Sequence, residues 1–449
     1  MITLQIALNN LRASGRRTLF LGTALFGVTM LFVLLLALTA GVTDNLIKGA
    51  TTVSSGHVNI AGYYKSSPTD AQALVTDVET LKKEAKEALP DAVVILDRLR
   101  GWGKVISDRG SVQTGVNGVN FDEESALFGM LTLAPAKDYL ENAPDPEATT
   151  GLFTDLRKPN TIMLFASQAK LLKAEVGDQL TIRTETLKGF SNTADVTVVA
   201  IARDLGLLSG FACFVPKETV TNLYQFKPGV SGVVQIYLKD IKRSTAAMNE
   251  LREHLAKKGF EQLEHDSQPF FIKLLQTVPG EDWTGAKLDV TTWEDEAAFL
   301  VQIITGLQAV SFALVLLLAI VIVVGISNTM TISVRERTRE IGTLRAIGMS
   351  RGSVLSLFLI EALILGVVAA GAGGVFGALV AAAINGAGVR VEADAMRIVL
   401  LSDTLHLVPR VVDVVVAVTV LTFVSAAAAF FPSLRAARIT PVTAMQSAE

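Results

Sequence analysis

The sequence predicts a membrane α-helical fold, with four transmembrane helices and a large α+β extracytoplasmic domain between helices 1 and 2. Three observations carry that prediction. Only 18% of the 449 residues are charged and the mean hydropathy is +0.45, against about 25% charged residues in a typical soluble domain. The deficit is concentrated in four uncharged runs: 23 residues from Thr18 to Ala40, 38 from Ala297 to Val334, 28 from Ala362 to Val389 and 21 from Val414 to Leu434. Each exceeds the roughly 18 to 20 residues a helix needs to cross a hydrocarbon core. The third observation is the chemistry of the intervening segments. All 19 lysines fall between Val42 and Glu296, a stretch that also holds 8 Arg and 35 acids and so carries a net charge of −8; outside it every basic residue is arginine. A soluble enzyme, a secreted disulfide framework and a disordered scaffold are thereby excluded. Cys213 is the only cysteine, so neither an intrachain disulfide nor a cysteine-based metal site is expected.

The short segments set the topology. Residues 1–17 carry Arg12, Arg16 and Arg17 without an acid, Arg335 to Arg351 carries five Arg against Glu336 and Glu340, and the tail from 435 has Arg435 and Arg438 against Glu449. Arginine-rich short loops stay on the cytoplasmic side, so both ends are expected to be cytoplasmic. The 42–296 domain and the charge-balanced 390–410 loop then lie outside. A cleavable signal is the competing reading of the N-terminus, but its apolar core would be about 7 to 15 residues, far shorter than this run.

In chain order, residues 1–17 read as an amphipathic helix on the inner leaflet, with Ile2, Leu4, Ile6, Leu8 and Leu11 apolar and Gln5, Asn9, Arg12 and Arg16 polar. Span one covers 18–41 and meets the domain without a linker, so its helix is expected to continue as a stalk. In the domain, 57–60 reads as a strand, 70–89 as a helix, and 92–96 and 112–119 as strands, the last broken by glycines. A Pro- and acid-rich loop fills 144–159. A strand–helix–strand unit spans 162–186, followed by strands at 196–202, 211–215 and 233–238 and a helix over 243–258. This makes two βαβ-like portions flanking a β-rich insertion. The run over 297–334 would be roughly 57 Å long as a helix, hence a stalk plus span two. A cytoplasmic helix over 335–351, span three over 352–389 and span four over 411–434 complete the chain, with 435–449 as a cytoplasmic tail.

No catalytic, cofactor or metal constellation is present. The sequence lacks a phosphate-cradling G-x-x-x-x-G-K-[S/T] and H-E-x-x-H, and its four histidines are scattered. The strongest local signal is Ser327 to Ser350. Charges crowd at Arg335, Glu336, Arg337, Arg339, Glu340 and Arg345, while Ile341, Leu344 and Ile347 recur along one helical stripe and Gly348 is placed to cap it. Such a helix is either a connector held by lipid phosphates or a lever that seats in a groove of a cytoplasmic partner.

That segment resembles the signature of type VII ABC transporter permeases, the superfamily of the MacB macrolide exporter, the FtsX division protein and the lipoprotein-releasing permeases. The pattern V-x-E-R-T-R-E-I-G-x-L-R-A-I-G is met by Val334 to Gly348, followed by Phe358-Leu359-Ile360-Glu361-Ala362 opening the next span and by Arg435-Ala436-Ala437-Arg438-Ile439-Thr440-Pro441-Val442 at the end. Ile162 to Ile182, with Val176-Gly177-Asp178, also resembles the family's external domain. The resemblance implies a mechanotransmitting permease, not itself an enzyme, that pairs with a second permease subunit and an ABC ATPase dimer. In it Arg335 to Gly348 would be the ATPase-coupling helix. ATP and Mg would then be bound in the partner and no cofactor by this chain. Within the superfamily, Ser54-Ser55-Gly56-His57-Val58-Asn59-Ile60 looks like the S-G-H-[IV]-x-I strand of the lipoprotein-releasing (LolC/LolE-like) branch. That branch implies extraction of lipoproteins from the outer leaflet of a bacterial inner membrane and handover to a periplasmic carrier. MacB-like efflux with a separate ATPase and FtsX-like activation of a periplasmic hydrolase are the alternatives; nucleic acid is not an expected partner.

Three further features follow from the residues. Met30, Leu34, Phe312 and Leu316 would line a lateral cargo cleft between spans one and two, or pack as core. Glu361 is a carboxylate near the inner end of span three, where ionisable groups are costly, and a structural polar contact is its expected role. Gly373 and Gly377 stand at G-x-x-x-G spacing, which predicts close approach of a neighbouring helix.

Overall fold

Four helices long and apolar enough to cross a bilayer organise a computed structural model that describes residues 5–7, 9–10, 15–67, 70–186, 189–389, 391 and 405–440. They are α1 (Gly15–Gly49), α7 (Ala298–Glu336), α9 (Arg351–Ala387) and α10 (Val411–Arg438). Helix is the form such runs must take in lipid, where each backbone N–H and C=O has to be bonded within its own segment. Residues 5–7 and 9–10 are helical. The rest of the amphipathic stretch before Gly15, most of the 390–410 loop and the tail beyond Thr440 lie outside the described residues.

The chain divides into two units. The first comprises α1 up to Asp44, α7 from Ile304, the short α8 (Thr338–Ala346), α9 and α10. Its core joins Leu25, Phe32 and Val33 of α1 to Ile322, Ile326 and Met330 of α7, Phe358 and Ala370 of α9, and Leu421 and Ala429 of α10. The glycines of α9 explain how closely these helices approach. A Cβ on Gly373 would clash with the carbonyl of Phe26 and stand 3.0 Å from its C and Cα, and one on Gly377 would lie 3.0 Å from Met30 O. On another side, Gly366 would meet Thr422 Cα at 3.2 Å and Gly374 would meet Val418 at 3.0 Å. The G-x-x-x-G pair therefore packs against α1 of the same chain, residues four apart on one helix facing residues four apart on the other. Thr39 and Ser311 share a hydroxyl bond of 2.8 Å between α1 and α7. Leu407 N donates to Asn385 Oδ1 at 2.8 Å and Val408 N to Ala37 O at 2.9 Å, tying the segment before α10 to α9 and α1.

The second unit contains a mixed sheet with strand order β10-β1-β9-β3-β4-β8-β5-β7-β6. The elements are β1 (Val58–Ser67), β2 (Asp70–Ala73), α2 (Val78–Ala88), β3 (Ala92–Ile106), β4 (Ser111–Val119), α3 (Ser125–Met130), β5 (Thr161–Phe165), α4 (Ala166–Leu172), β6 (Gln179–Glu185), β7 (Ser191–Ala202), β8 (Ala212–Pro216), α5 (Lys217–Tyr224), β9 (Val233–Leu238), α6 (Ser244–Lys257) and β10 (Gly285–Thr292). Two cores lie along it. One packs Val58, Ile60, Val234, Ile236 and Val290 against Leu81 and Ala85 of α2 and Met248 and Leu251 of α6. The other packs Val105, Val116, Ile162, Leu164, Val198 and Val215 against Leu172 of α4 and Val220 of α5. β3 belongs to both, pairing with β9 through residues 92–98 and with β4 through 99–106.

Several expectations change here. The stretch from Asp70 is a strand before it is a helix, since 70–73 pairs with β1 and α2 starts only at Val78. β4 runs unbroken through Gly115 and Gly118, which are there because Phe211 O and Val220 leave no room for a side chain. The flanking portions are not two separate βαβ units. β10, β1, β9 and β3 lie side by side in that order, each antiparallel to the next, so both ends of the domain build one lobe. In the insertion, β5 finds its parallel neighbour in β7 and not in β6, the next strand in sequence.

Buried Asp97 is paired with cations. Asp97 accepts from Ser231 at 2.6 Å, from Lys82 at 2.5 Å and from Lys217. Burial works to raise its pKa, but the bonds from Lys217, Lys82 and Ser231 prevail and hold the carboxyl below the usual aspartate range. His57 accepts the Leu238 N–H on Nδ1 at 3.0 Å, and burial pushes its imidazole below the ordinary value.

Candidate functional site

α7 does not stop where its uncharged run stops. It continues through Arg335 and Glu336, both exposed, and breaks at Arg337, whose φ of −96° and ψ of 14° leave the helical region. The expected coupling helix therefore starts later than Arg335: α8 is Thr338–Ala346, nine residues or about 13.5 Å of helix. The break costs little hydrogen bonding. Thr338 Oγ1 donates to Val334 O at 3.0 Å and Arg335 O at 2.8 Å, and the next backbone bonds resume with Ile341 N to Arg337 O at 3.0 Å. Gly348 at φ +106° then reverses the chain, a left-handed conformation suited to glycine, and Ser350 Oγ accepts from Ser353 N to start α9.

Turning out of the helix frees the Arg337 side chain to point inward. Its Nη1 donates to Glu361 Oε1 at 3.2 Å and its Nη2 to Asn10 O at 3.1 Å, while Asn10 Nδ2 donates to Glu361 Oε1 at 2.7 Å. Both charged side chains are nearly sequestered, with 14% and 7% of their surface exposed. Three elements thus meet at one carboxylate: the N-terminal helical residues, the α7–α8 break and α9. A buried ion pair of this kind fixes geometry more than it adds stability, because desolvation offsets most of the attraction.

The stripe Ile341, Leu344, Ile347 divides. Ile341 is buried, Leu344 half-buried and Ile347 81% exposed, because α8 ends at Ala346 and Ile347 lies past its last turn. Arg339 and Glu340 are exposed beside it and Arg345 is half-buried. The outward surface is consequently charged along the helix with one large apolar side chain at its end. The four candidate cleft residues do not share one setting. Leu34 packs with Ala37, Ala381 and Leu407, and Met30 is half-buried; Phe312 is 70% exposed and Leu316 52% exposed on α7.

Asn10 was not singled out by sequence reasoning, and only its position in the amphipathic stretch signalled it. Among the described residues, Glu84, Glu87 and His254 could converge on a metal ion. Lys258 already occupies that place, 2.9 Å from Glu84 and 3.4 Å from Glu87.

Residues 312–441, which include the break, α8 and the glycine-lined α9, match the model of the FtsX-like permease C-terminal domain. Over those residues the chain is similar to FtsX-like permeases. Over 237 residues the chain is 24% identical to the macrolide export ATP-binding/permease protein MacB of Bartonella quintana, covering 49% of this chain and 31% of that one. Over 45 residues it is 58% identical to an uncharacterised ABC transporter permease of Methanocaldococcus jannaschii, covering 10% of this chain and 12% of that one. The periplasmic region of MacB from Actinobacillus actinomycetemcomitans aligns with 54% of this chain and 92% of its own at 12% identity and a TM-score of 0.28. The chain spans under a third of the length of these curated MacB relatives.

Proposed function

We propose that this chain is the membrane subunit of an ATP-driven mechanotransmitter in a bacterial inner membrane. Both termini and α8 face the cytoplasm, and the sheet domain faces the periplasm. A separate ABC ATPase dimer supplies ATP and Mg, a second permease subunit completes the pair, and this chain catalyses nothing itself. The observation that carries the reading is the Arg337 node. α8 is too short to move independently of what holds its start, and its start is held by Glu361 of α9 and by Asn10. A push on α8 is delivered to the ends of α7 and α9 together.

For the cargo, the likeness of the Ser54 to Ile60 segment to the lipoprotein-releasing branch favours lipoproteins drawn from the outer leaflet and passed to a periplasmic carrier. The cleft would lie beside Phe312 and Leu316. A MacB-like efflux role with a separate ATPase is the second reading, favoured by the macrolide-export relatives; FtsX-like activation of a hydrolase is the third. Photocrosslinkers placed in living cells at Ile347 and at Phe312 test all of these. Ile347 is expected to capture a P-loop ATPase, and a clean Ile347 result with an active probe would sink the ABC reading. At Phe312, triacylated lipoproteins support extraction, whereas exported amphiphiles or a hydrolase without lipoprotein would replace it with the second or third reading.

A further inference from the structure

A helix ends with four carbonyls that no N–H of its own can reach. Where α1 finishes, through Gly49 and the wide turn Ala50–Ser54, residues 50–53 are buried and Ser54 is exposed. Four consecutive carbonyls are taken by side chains of two adjacent strands. Tyr237 Oη donates to Thr51 O at 3.0 Å, Arg98 Nη2 to Thr52 O at 2.8 Å and Arg98 Nη1 to Val53 O at 2.9 Å. Arg100 Nη2 at 3.0 Å and Gln235 Nε2 at 3.3 Å both donate to Ser54 O. Arg98 and Arg100 are two apart on β3, and Gln235 and Tyr237 two apart on β9. Since Leu96 stands opposite Gln235 in the antiparallel register, all four project from one face.

Arg98 is the centre of this arrangement. Its side chain is 2% exposed and is held by Glu124, with Nε to Oε1 at 2.5 Å and Nη2 to Oε2 at 2.6 Å. The planar fork of arginine is what permits two carboxylate bonds and two carbonyl bonds at once. Its positive charge also faces the negative end of the helix. Arg100 extends the same strand to the segment leading into α7: its Nη1 lies 3.8 Å from Glu296 Oε2, and Glu296 is itself held by Thr291 Oγ1 at 2.9 Å.

We propose that the β3–β9 face is a socket that seats the end of α1. In it Arg98 is the positioning residue, and Arg100 links the socket to the beginning of α7 through Glu296. A displacement of α1 is then delivered to the sheet as a rigid movement, and not absorbed in a flexible linker. This rests on the mechanotransmission reading above, and the test separates the two. Spin labels are placed in the full chain in nanodiscs at Lys48→Cys and Lys104→Cys, exposed positions on α1 and β3, in a Cys213→Ala background. The double variant Arg98→Met/Glu124→Leu removes the donors while keeping the buried volume apolar, an exchange that buried ion pairs often tolerate.

The expected result is a single narrow label distance in the parent chain and its loss in the double variant, with the domain still unfolding cooperatively. Arg98→Lys with Glu124 retained should restore part of the narrow component. Tyr237→Phe/Gln235→Leu, which alters no charge, should broaden the distribution even if the double variant does not fold. Narrow distances persisting in folded Arg98→Met/Glu124→Leu and in Tyr237→Phe/Gln235→Leu would overturn the socket. On adding the partner ATPase and ATP to the parent chain the Lys48–Lys104 distance should stay fixed, and a shift in it would overturn the rigid delivery. A single Lys104→Cys label on each of the two paired subunits reads transmission separately: an unchanged distance between those labels on adding ATP would overturn the transmission reading and leave the socket standing.

Discussion

Replacing Gly373 by alanine adds one methyl group where the backbone of Phe26 already stands. The Cβ would lie 3.0 Å from Phe26 C and Cα and closer still to its carbonyl oxygen. These are backbone atoms, so no rotamer change relieves the contact. Restoring an ordinary 3.4 Å separation moves α1 away from α9 by at least the 0.4 Å between 3.0 and 3.4 Å. Overpacking of this kind costs about 2 kcal/mol. Gly371→Ala is the matched control, because nothing stands within 4 Å of its Cβ position. Both substitutions gain the same helix propensity, about 1 kcal/mol, so the gain cancels between them. The expected difference in unfolding equilibrium constant is about 30-fold. It is read by titrating sodium dodecyl sulfate into mixed micelles and following tertiary fluorescence, with Gly373→Ala unfolding at the lower fraction. Coincident transitions for the two variants would refute the close approach of α1 and α9 and with it the packing argument for the glycine stripe.

Glu361→Leu strands the Arg337 guanidinium in a buried site and should cost about 3 to 5 kcal/mol in the same titration. Adding Arg337→Met should recover most of that loss, and a double variant as weak as the single one would show that the node is not an ion pair. The depressed pKa of Asp97 means that its stabilising contribution is present above the unfolded value of 3.8 and is lost as pH falls through the lower folded value. Asp97→Asn should therefore be less stable at neutral pH yet show a shallower decline of thermal stability below pH 4; an unchanged acid limb would contradict the pairing. His57, also depressed, contributes stability that is present above its ordinary 6.5 and is lost as pH falls through its folded value. His57→Asn should remove that slope from the thermal stability profile below pH 6.5, and a slope identical to the parent's would assign it elsewhere.

The spans were legible because lipid leaves a run of twenty uncharged residues only one structure to adopt. The resemblance around Val334 to Gly348 was legible as a string of letters. The helix break inside it was not, since Arg337 leaves the helix for partners at positions 10 and 361, and no local pattern reports contacts so distant in sequence. The same reason hid the socket. Arg98-Leu99-Arg100 alternates as a strand should, with two cations where burial would favour apolar residues, and that anomaly was the available signal. What it answers, the open carbonyls of residues 51–54, is visible only once α1 and β3 are brought together. β10 was missed because Gly285 to Thr292 carries Lys287 and Asp289 in a short strand, and the antiparallel pairing of β1 with β9 and β10 depends on segments that are remote in the chain.

In the first lobe, Arg98 on β3 stands directly across from Val233 on β9. The chain leaves that lobe at one of these residues, builds the whole second core from residues 99–232, and returns at the other. Topologically the second lobe is a cassette hung from a single ladder rung. Variation in the distal part of the cassette leaves the first lobe intact as long as Arg100 and Glu124, which serve the end of α1, and Lys217 and Ser231, which hold Asp97, are kept. The second core can thereby diverge while four residues of it stay fixed by what they do for the first.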